Sequence, residues 1–193
     1  MIKITRPVCP NPEALKKNYK HPENKEALRQ SSSDKCMYCE CKVSHSYHGD
    51  IEHIKPKSKF TDLEFDWNNL GYVCAVCNGI KGNKYNDKSP ILNPYDEDPE
   101  IHIVALGAVV ACRNDSERGQ ITIEKENGVH LNRPALIERR QDRLNLIKRI
   151  IDVCSGLEAN AKEAVLENLK VEADADKEYS LCVKELLKLE GVN

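Results

Sequence analysis

Apolar positions change period several times along this chain, and each change marks an element. Residues 1–21 carry Pro7, Pro10 and Pro12, with Pro22 directly after, so they read as an extended arm with at most one short helix. Strong helix formers at 23–31 (ENKEALRQS) predict a helix that stops in a Ser-rich turn at 31–33. Val43, Tyr47, Ile51 and Ile54 alternate loosely about His48-Gly49-Asp50, which predicts a β-hairpin over 42–54. Residues 55–70 read as a loop broken by Pro56 and ending in Trp67-Asn68-Asn69-Leu70, and a short helix follows over 75–82. Asn93-Pro94 and the acidic run to Glu100 look like a boundary. Beyond it, 101–112 and 120–125 read as two strands around a polar turn at 113–119. Pro134 opens a helix over 134–154, in which Leu136, Leu144, Ile147, Ile150 and Ile151 stand at helical spacing. Further helices are predicted over 157–170 and 174–190. The organisation expected is therefore an arm and helix at 1–33, a core at 34–93, and a strand pair with a helical region at 94–193.

Charge sharpens the division at residue 93. Residues 1–93 carry 15 Lys and Arg against 11 Asp and Glu, whereas residues 94–193 carry 14 against 20. The first part suits a phosphate backbone and the second repels one. The 193 residues include 31% charged and 5% aromatic positions, with no apolar run near the roughly 18 residues that span a bilayer. The amino-terminal MIKITRPVCP lacks the apolar core of a secretory signal. A cytoplasmic protein with no membrane partner is expected. Nine cysteines cannot all pair within one chain, and in a reducing compartment clustered cysteines point to metal.

Two cysteine knuckles, Cys36-x2-Cys39 and Cys74-x2-Cys77, stand 34 residues apart. That spacing lets two thiolates of each knuckle reach one ion at about 2.3 Å, closing a four-thiolate structural zinc site without an open position. Cys41, two positions after Cys39, is an alternative ligand. Cys9, Cys112, Cys154 and Cys182 stand singly and read as small core residues. His45 and His48 read as solvated or substrate-facing, although zinc ligation is open to them. His21, His102 and His130 have no partner at ligand spacing.

Between the knuckles lie Asp50-Ile51-Glu52-His53-Ile54-Lys55-Pro56, then Asn69-Leu70, and Asn78 follows Cys77 directly. This stretch, from Cys36 to about Lys84, resembles the HNH (ββα-metal) nucleases. The resemblance implies an α+β fold: a ββα-metal nuclease core stapled by the four-Cys zinc site, with a mostly helical C-terminal region. It also implies metal-dependent hydrolysis of phosphodiester bonds. His53 is then the general base, since neutral imidazole titrates near working pH. Glu52 and Asn78 are the ligands of a catalytic Mg²⁺ or Mn²⁺, their oxygens favouring a hard ion. Asn69 holds the long loop and orients His53. Neighbouring residues of a strand point to opposite faces, so Glu52 and His53 meet at one site only through twist or at an edge. Asp50, on the face of Glu52, is the rival ligand. Lys55, Lys57, Lys81 and Lys84 border this region and are expected on the nucleic acid, with Lys81 one helical turn beyond Asn78.

The second half extends the likeness. Ile91-Leu92-Asn93-Pro94, Asp98-Pro99, the 121–123 segment, Leu131-Asn132, Leu136 and Arg140 resemble the stand-alone HNH proteins of anti-phage operons. Cys36-Met37-Tyr38-Cys39-Glu40 and Ile51-Glu52-His53 are similar to the nuclease subunit family of the Septu system, PtuB. That likeness implies a PtuA-like ATPase partner; DNA is the expected substrate, and the acidic half, a poor binder of DNA by its charge, is expected to dock the partner. No GxxxxGK[ST] loop is present, so nucleotide hydrolysis belongs to another chain. An RNA-cleaving effector and a non-catalytic zinc-stapled binding module are the alternatives. The Glu52, His53 and Asn78 set separates them, because a binding module has no need of it.

Overall fold

Prolines at 12 and 22 open two helices in the computed structural model, which describes residues 1–44 and 48–192. In α1 (Pro12–Leu15) the Asn11 side chain caps the Ala14 amide at 3.0 Å. In α2 (Pro22–Ser31) Leu28 is wholly buried, and Asn24 exchanges two 3.0 Å hydrogen bonds with the backbone of Asn11. The arm is tied down as well. Arg6 donates to the carbonyls of Trp67, Asn68 and Leu70 at 2.8–2.9 Å, and its guanidinium lies 4.0 Å from the centre of the Tyr95 ring.

The expected hairpin over 42–54 is corrected. β1 (Asp50–His53) pairs antiparallel with β2 (Leu70–Val73), in the register Asp50↔Val73, Ile51↔Tyr72, Glu52↔Gly71 and His53↔Leu70. Local alternation around 42–54 shows one strand but not its partner, which lies beyond the loop and is buried at all four positions. His45 and Tyr47 lie outside the described residues. Helix α3 (Ala75–Lys81) follows β2 at once and completes a ββα unit. Gly71 lets the first knuckle close on β2. A Cβ there would stand 2.2 Å from the Met37 sulfur, and Met37 N donates to Tyr72 O at 3.0 Å.

In the second half, 101–112 is a hairpin rather than one strand. β3 (Ile103–Leu106) and β4 (Val109–Cys112) meet at a two-residue turn where Gly107 takes φ +62°. The strand expected over 120–125 is instead helical, as α4 (Glu117–Ile123). Ser116 caps it through the Gly119 amide at 3.1 Å. Thr122, fully buried, bonds back to Arg118 O at 2.7 Å and accepts from Leu92 N at 2.9 Å. Here cap and burial override the β-branched alternation. Helices α5 (Pro134–Cys154), α6 (Ala159–Lys170) and α7 (Ser180–Leu189) follow, with α5 burying Leu136, Leu144 and Ile147.

Contacts cross residue 93 freely. Ile4 N donates to Pro94 O at 2.8 Å, and one buried cluster contains Leu28, Tyr72 and Leu92 together with Ile147 and Val183. Glu40, in left-handed backbone conformation (φ +63°) and 4% exposed, anchors α7 to the first knuckle. It accepts from Ser180 Oγ at 2.7 Å, from Leu181 N at 3.4 Å and from the Met1 ammonium. Among the described residues no helix is long and apolar enough to cross a membrane.

Candidate active site and metal centre

The first knuckle is a tight turn in which Cys36 N donates to Cys41 O at 2.9 Å and Glu40 N to Cys36 O at 3.0 Å. The second sits on the start of α3, where Cys74 is the N-cap and its sulfur accepts from Cys77 N at 3.4 Å. The Sγ atoms of Cys36, Cys39, Cys74 and Cys77 all lie within 4.8 Å of one another. A tetrahedron of roughly 2.3 Å metal–sulfur bonds has edges of about 3.8 Å. Cys39 and Cys74 stand at 3.8 Å, so the donor set fits one closed tetrahedral ion. Cys41 lies outside the set, 3.2 Å from Cys39 Sγ, at hydrogen-bonding rather than vertex distance. All nine cysteines are free, and Cys154 and Cys182 are buried as expected of core residues.

An arginine that the spacing arguments do not reach completes this centre. Burial alone lowers the Arg133 guanidinium, but the sulfurs of Cys77 and Cys39 outweigh it and raise the group above its ordinary value. A cation beside the four sulfurs would offset the negative charge they carry when they hold a metal ion. Its neighbours serve the scaffold. Asn132 clamps the Val110 amide and carbonyl at 2.9 and 2.8 Å, and buried Arg140 donates to Leu131 O at 2.8 Å.

Strand alternation splits the three candidate site residues of β1, Asp50, Glu52 and His53. Asp50 and Glu52 face α3, and there two side chains one turn apart receive them. Asn78 Nδ2 donates to Asp50 Oδ2 at 2.9 Å, while Lys81 Nζ ion-pairs with Glu52 and donates to His53 O at 2.8 Å. Burial pushes Glu52 up to about 6 despite the pull of Lys81, and lowers Lys81 despite Glu52.

The His53 ring turns the other way. It meets the edge of Tyr19 from the arm, with ring centres 4.5 Å apart, and its Nε2 lies 3.0 Å from Glu64 O. A carbonyl only accepts, so Nε2 carries the proton and Nδ1 keeps the lone pair. Burial lowers the imidazole below its ordinary value and favours this neutral form. Asn69 clamps the loop after it: Oδ1 accepts from Lys55 N at 2.7 Å, and Nδ2 donates to Lys55 O at 2.9 Å and Leu63 O at 3.2 Å.

The ββα unit with its two knuckles coincides with a family match: the model for HNH endonuclease covers residues 36–84. Residues 36–84 form an HNH endonuclease domain. Over most of its length the chain is also similar to two proteins named Septu protein PtuB. The one from Bacillus thuringiensis is 28% identical over 181 residues, covering 86% of this chain and 68% of the relative. The one from Bacillus mycoides (strain KBAB4) is 24% identical over 202 residues, covering 89% and 67%.

Within the HNH domain the lysines divide. Lys55 is exposed, and exposed Lys57 bridges Glu64 at 2.8 Å and the Tyr19 ring at 4.8 Å. Lys81, expected on the nucleic acid, is fully buried: one turn beyond Asn78 its side chain runs inward to Glu52. Lys84 donates to Lys125 O at 2.5 Å, which fastens the end of the HNH domain to the segment after α4. His48 is exposed, and His45 falls outside the described residues. Neither Tyr19 nor Arg133 carries a sequence signal. Each reaches its place from an element outside the matched span.

Proposed function

We propose that this chain is a metal-dependent endonuclease that hydrolyses phosphodiester bonds of DNA. It acts in the cytoplasm, in an anti-phage defence complex with a PtuA-like ATPase. The observation that carries the reading is one strand, inside an HNH endonuclease domain, that holds Asp50 against Asn78 of α3 and a neutral His53 ring against Glu64 O on its other side. The similarity to proteins named Septu protein PtuB supports the defence role and the complex.

His53 takes the proton of the attacking water at Nδ1, while Glu64 O holds Nε2–H and so fixes the tautomer. Asn69 keeps the 55–63 loop folded so that the ring stays in register. Asn78 and Asp50, already in contact, are the oxygen donors for Mg²⁺ or Mn²⁺, and Glu52 joins them only by leaving Lys81. When bound, such an ion supplies positive charge for the phosphate oxygens and the leaving group. Exposed Lys55 and Lys57 lie along the phosphate path. The four-cysteine centre takes structural Zn²⁺.

The test is incubation of the purified chain, alone and with the ATPase encoded beside it, with DNA and with RNA in Mg²⁺ or Mn²⁺. Divalent-ion-dependent cleavage of DNA is expected. Cleavage of RNA alone moves the substrate, and no cleavage under any of these conditions overturns the reading.

A further inference from the structure

Directly beyond β1 a cleft of 440 Å³ opens, in the size range of small-ligand sites. It shares a wall with the nuclease site, because Ile54 and Lys55 follow His53 in the chain and Asn69, the clamp of that loop, also lines it. Ile54, Leu63 and Ile91 make the floor apolar. Tyr85 forms an aromatic wall, held edge-on by Phe60 at 5.2 Å between ring centres and 78° between planes. At the mouth, Lys55 Nζ lies 5.6 Å from the Phe60 ring centre and 6.0 Å from that of Tyr85.

The charge inside the cleft selects its guest. Arg118 is spent on Glu97, with which it forms a two-pronged ion pair, and on Pro90 O at 3.1 Å. Asp66 and Asp96 add negative charge. Asp66 accepts from Asn68 N at 2.9 Å and Asp96 from Asn93 Nδ2 at 2.7 Å, and each carboxylate retains lone pairs for further donors. Among the described residues a phosphate inside the cleft finds no free cation, because Arg118 is held by Glu97 and the Arg6 guanidinium that faces Asp66 and Asp96 is held by the Trp67, Asn68 and Leu70 carbonyls. A neutral, flat group whose rim carries N–H donors is accepted, with its own phosphate left outside on Lys55. Those are the properties of a nucleobase.

We propose that the cleft takes one unpaired nucleobase of the substrate strand, stacked on Tyr85, with Lys55 on the adjoining phosphate. The inference rests on the nuclease reading above and adds the substrate class: nucleic acid with an unpaired or extruded nucleotide beside the scissile bond. A base inside a duplex stack cannot enter such a cleft without leaving the stack.

The probe is an oligonucleotide carrying 2-aminopurine, either unpaired or in a full duplex, bound to the whole chain as the cleavage-silent His53→Ala variant. Quenched emission and tighter binding are expected for the unpaired probe. Tyr85→Ala should reduce that preference about tenfold, the scale of one base–aromatic stack, and Tyr85→Phe should keep it. Equal affinity for both probes, or a preference untouched by Tyr85→Ala, overturns the cleft assignment. Circular dichroism of Tyr85→Ala separates lost stacking from lost fold. The two readings fail separately. Quenching by a wild-type chain that cleaves nothing removes the nuclease and leaves the cleft, whereas cleavage without quenching removes the cleft alone.

Discussion

His53 is the residue on which the proposed chemistry turns, and its surroundings set both its tautomer and its charge. His53→Ala should lower cleavage by about 10²–10⁴-fold, the worth of a general base, while circular dichroism and metal content stay unchanged. A variant that retains a tenth of wild-type activity rejects the assignment. The pH profile follows from burial, which lowers the imidazole below its ordinary 6.5. The base works unprotonated, so cleavage should rise through a pH below 6.5 and be flat by neutrality. A midpoint above 6.5 contradicts this. For the ion, Asp50→Asn should abolish cleavage with little change in melting temperature. If Asp50→Asn stays active and Glu52→Gln is dead but folded, the ligand is Glu52.

At the scale of elements, the cysteine quartet joins the first knuckle to α3, and the Lys81–Glu52 pair with the Asn78–Asp50 hydrogen bond joins α3 to β1. Lys81→Met leaves the Glu52 carboxylate buried without its cation and should cost about 3–5 kcal/mol in chemical denaturation. Adding Glu52→Gln should recover much of that loss, because the uncompensated charge goes with it. A Lys81→Met chain as stable as wild type would mean that the pair is solvated. Metal affinity in the quartet is folding energy. Purified protein should therefore carry one zinc per chain by metal analysis, and Cys36→Ser or Cys77→Ser should unfold it. Mild EDTA should stop cleavage before it alters the circular dichroism, with recovery in Mg²⁺ or Mn²⁺. Recovery with zinc alone would merge the two sites into one.

For the whole molecule, the charge division is the basis for proposing different partners for the two halves. Residues 94–193 carry the acidic excess and are proposed to dock the ATPase, leaving the basic half to the nucleic acid. Deleting the C-terminal helices is a poor test, because α7 closes over Glu40 and Arg140 supports the β3–β4 turn. Exposed acids are better. Glu158→Lys, Glu163→Lys and Glu167→Lys together should weaken capture by the ATPase at low salt and spare the ion-dependent cleavage of the isolated chain. Unchanged capture would place the dock elsewhere.

How much of this was legible without the fold depends on range. The cysteine quartet was, since a two-residue spacing brings the two sulfurs of each pair together by local geometry. So were α2 and α5, whose formers, prolines and apolar repeats act within a turn or two, and the order of Glu52-His53, Asn69 and Asn78 along the chain. Tertiary structure alone decided which strand pairs with β1, because β2 comes only after the intervening loop. It turned 117–123 into a helix through a cap and a buried threonine. It sent Lys81 inward to Glu52, placed Asp50 rather than Glu52 on Asn78, and brought Tyr19 and Arg133 to the site from distant segments. Spacing along a chain fixes what neighbours share. Which charges meet, and which face of a strand each side chain serves, follows from packing between segments far apart in sequence.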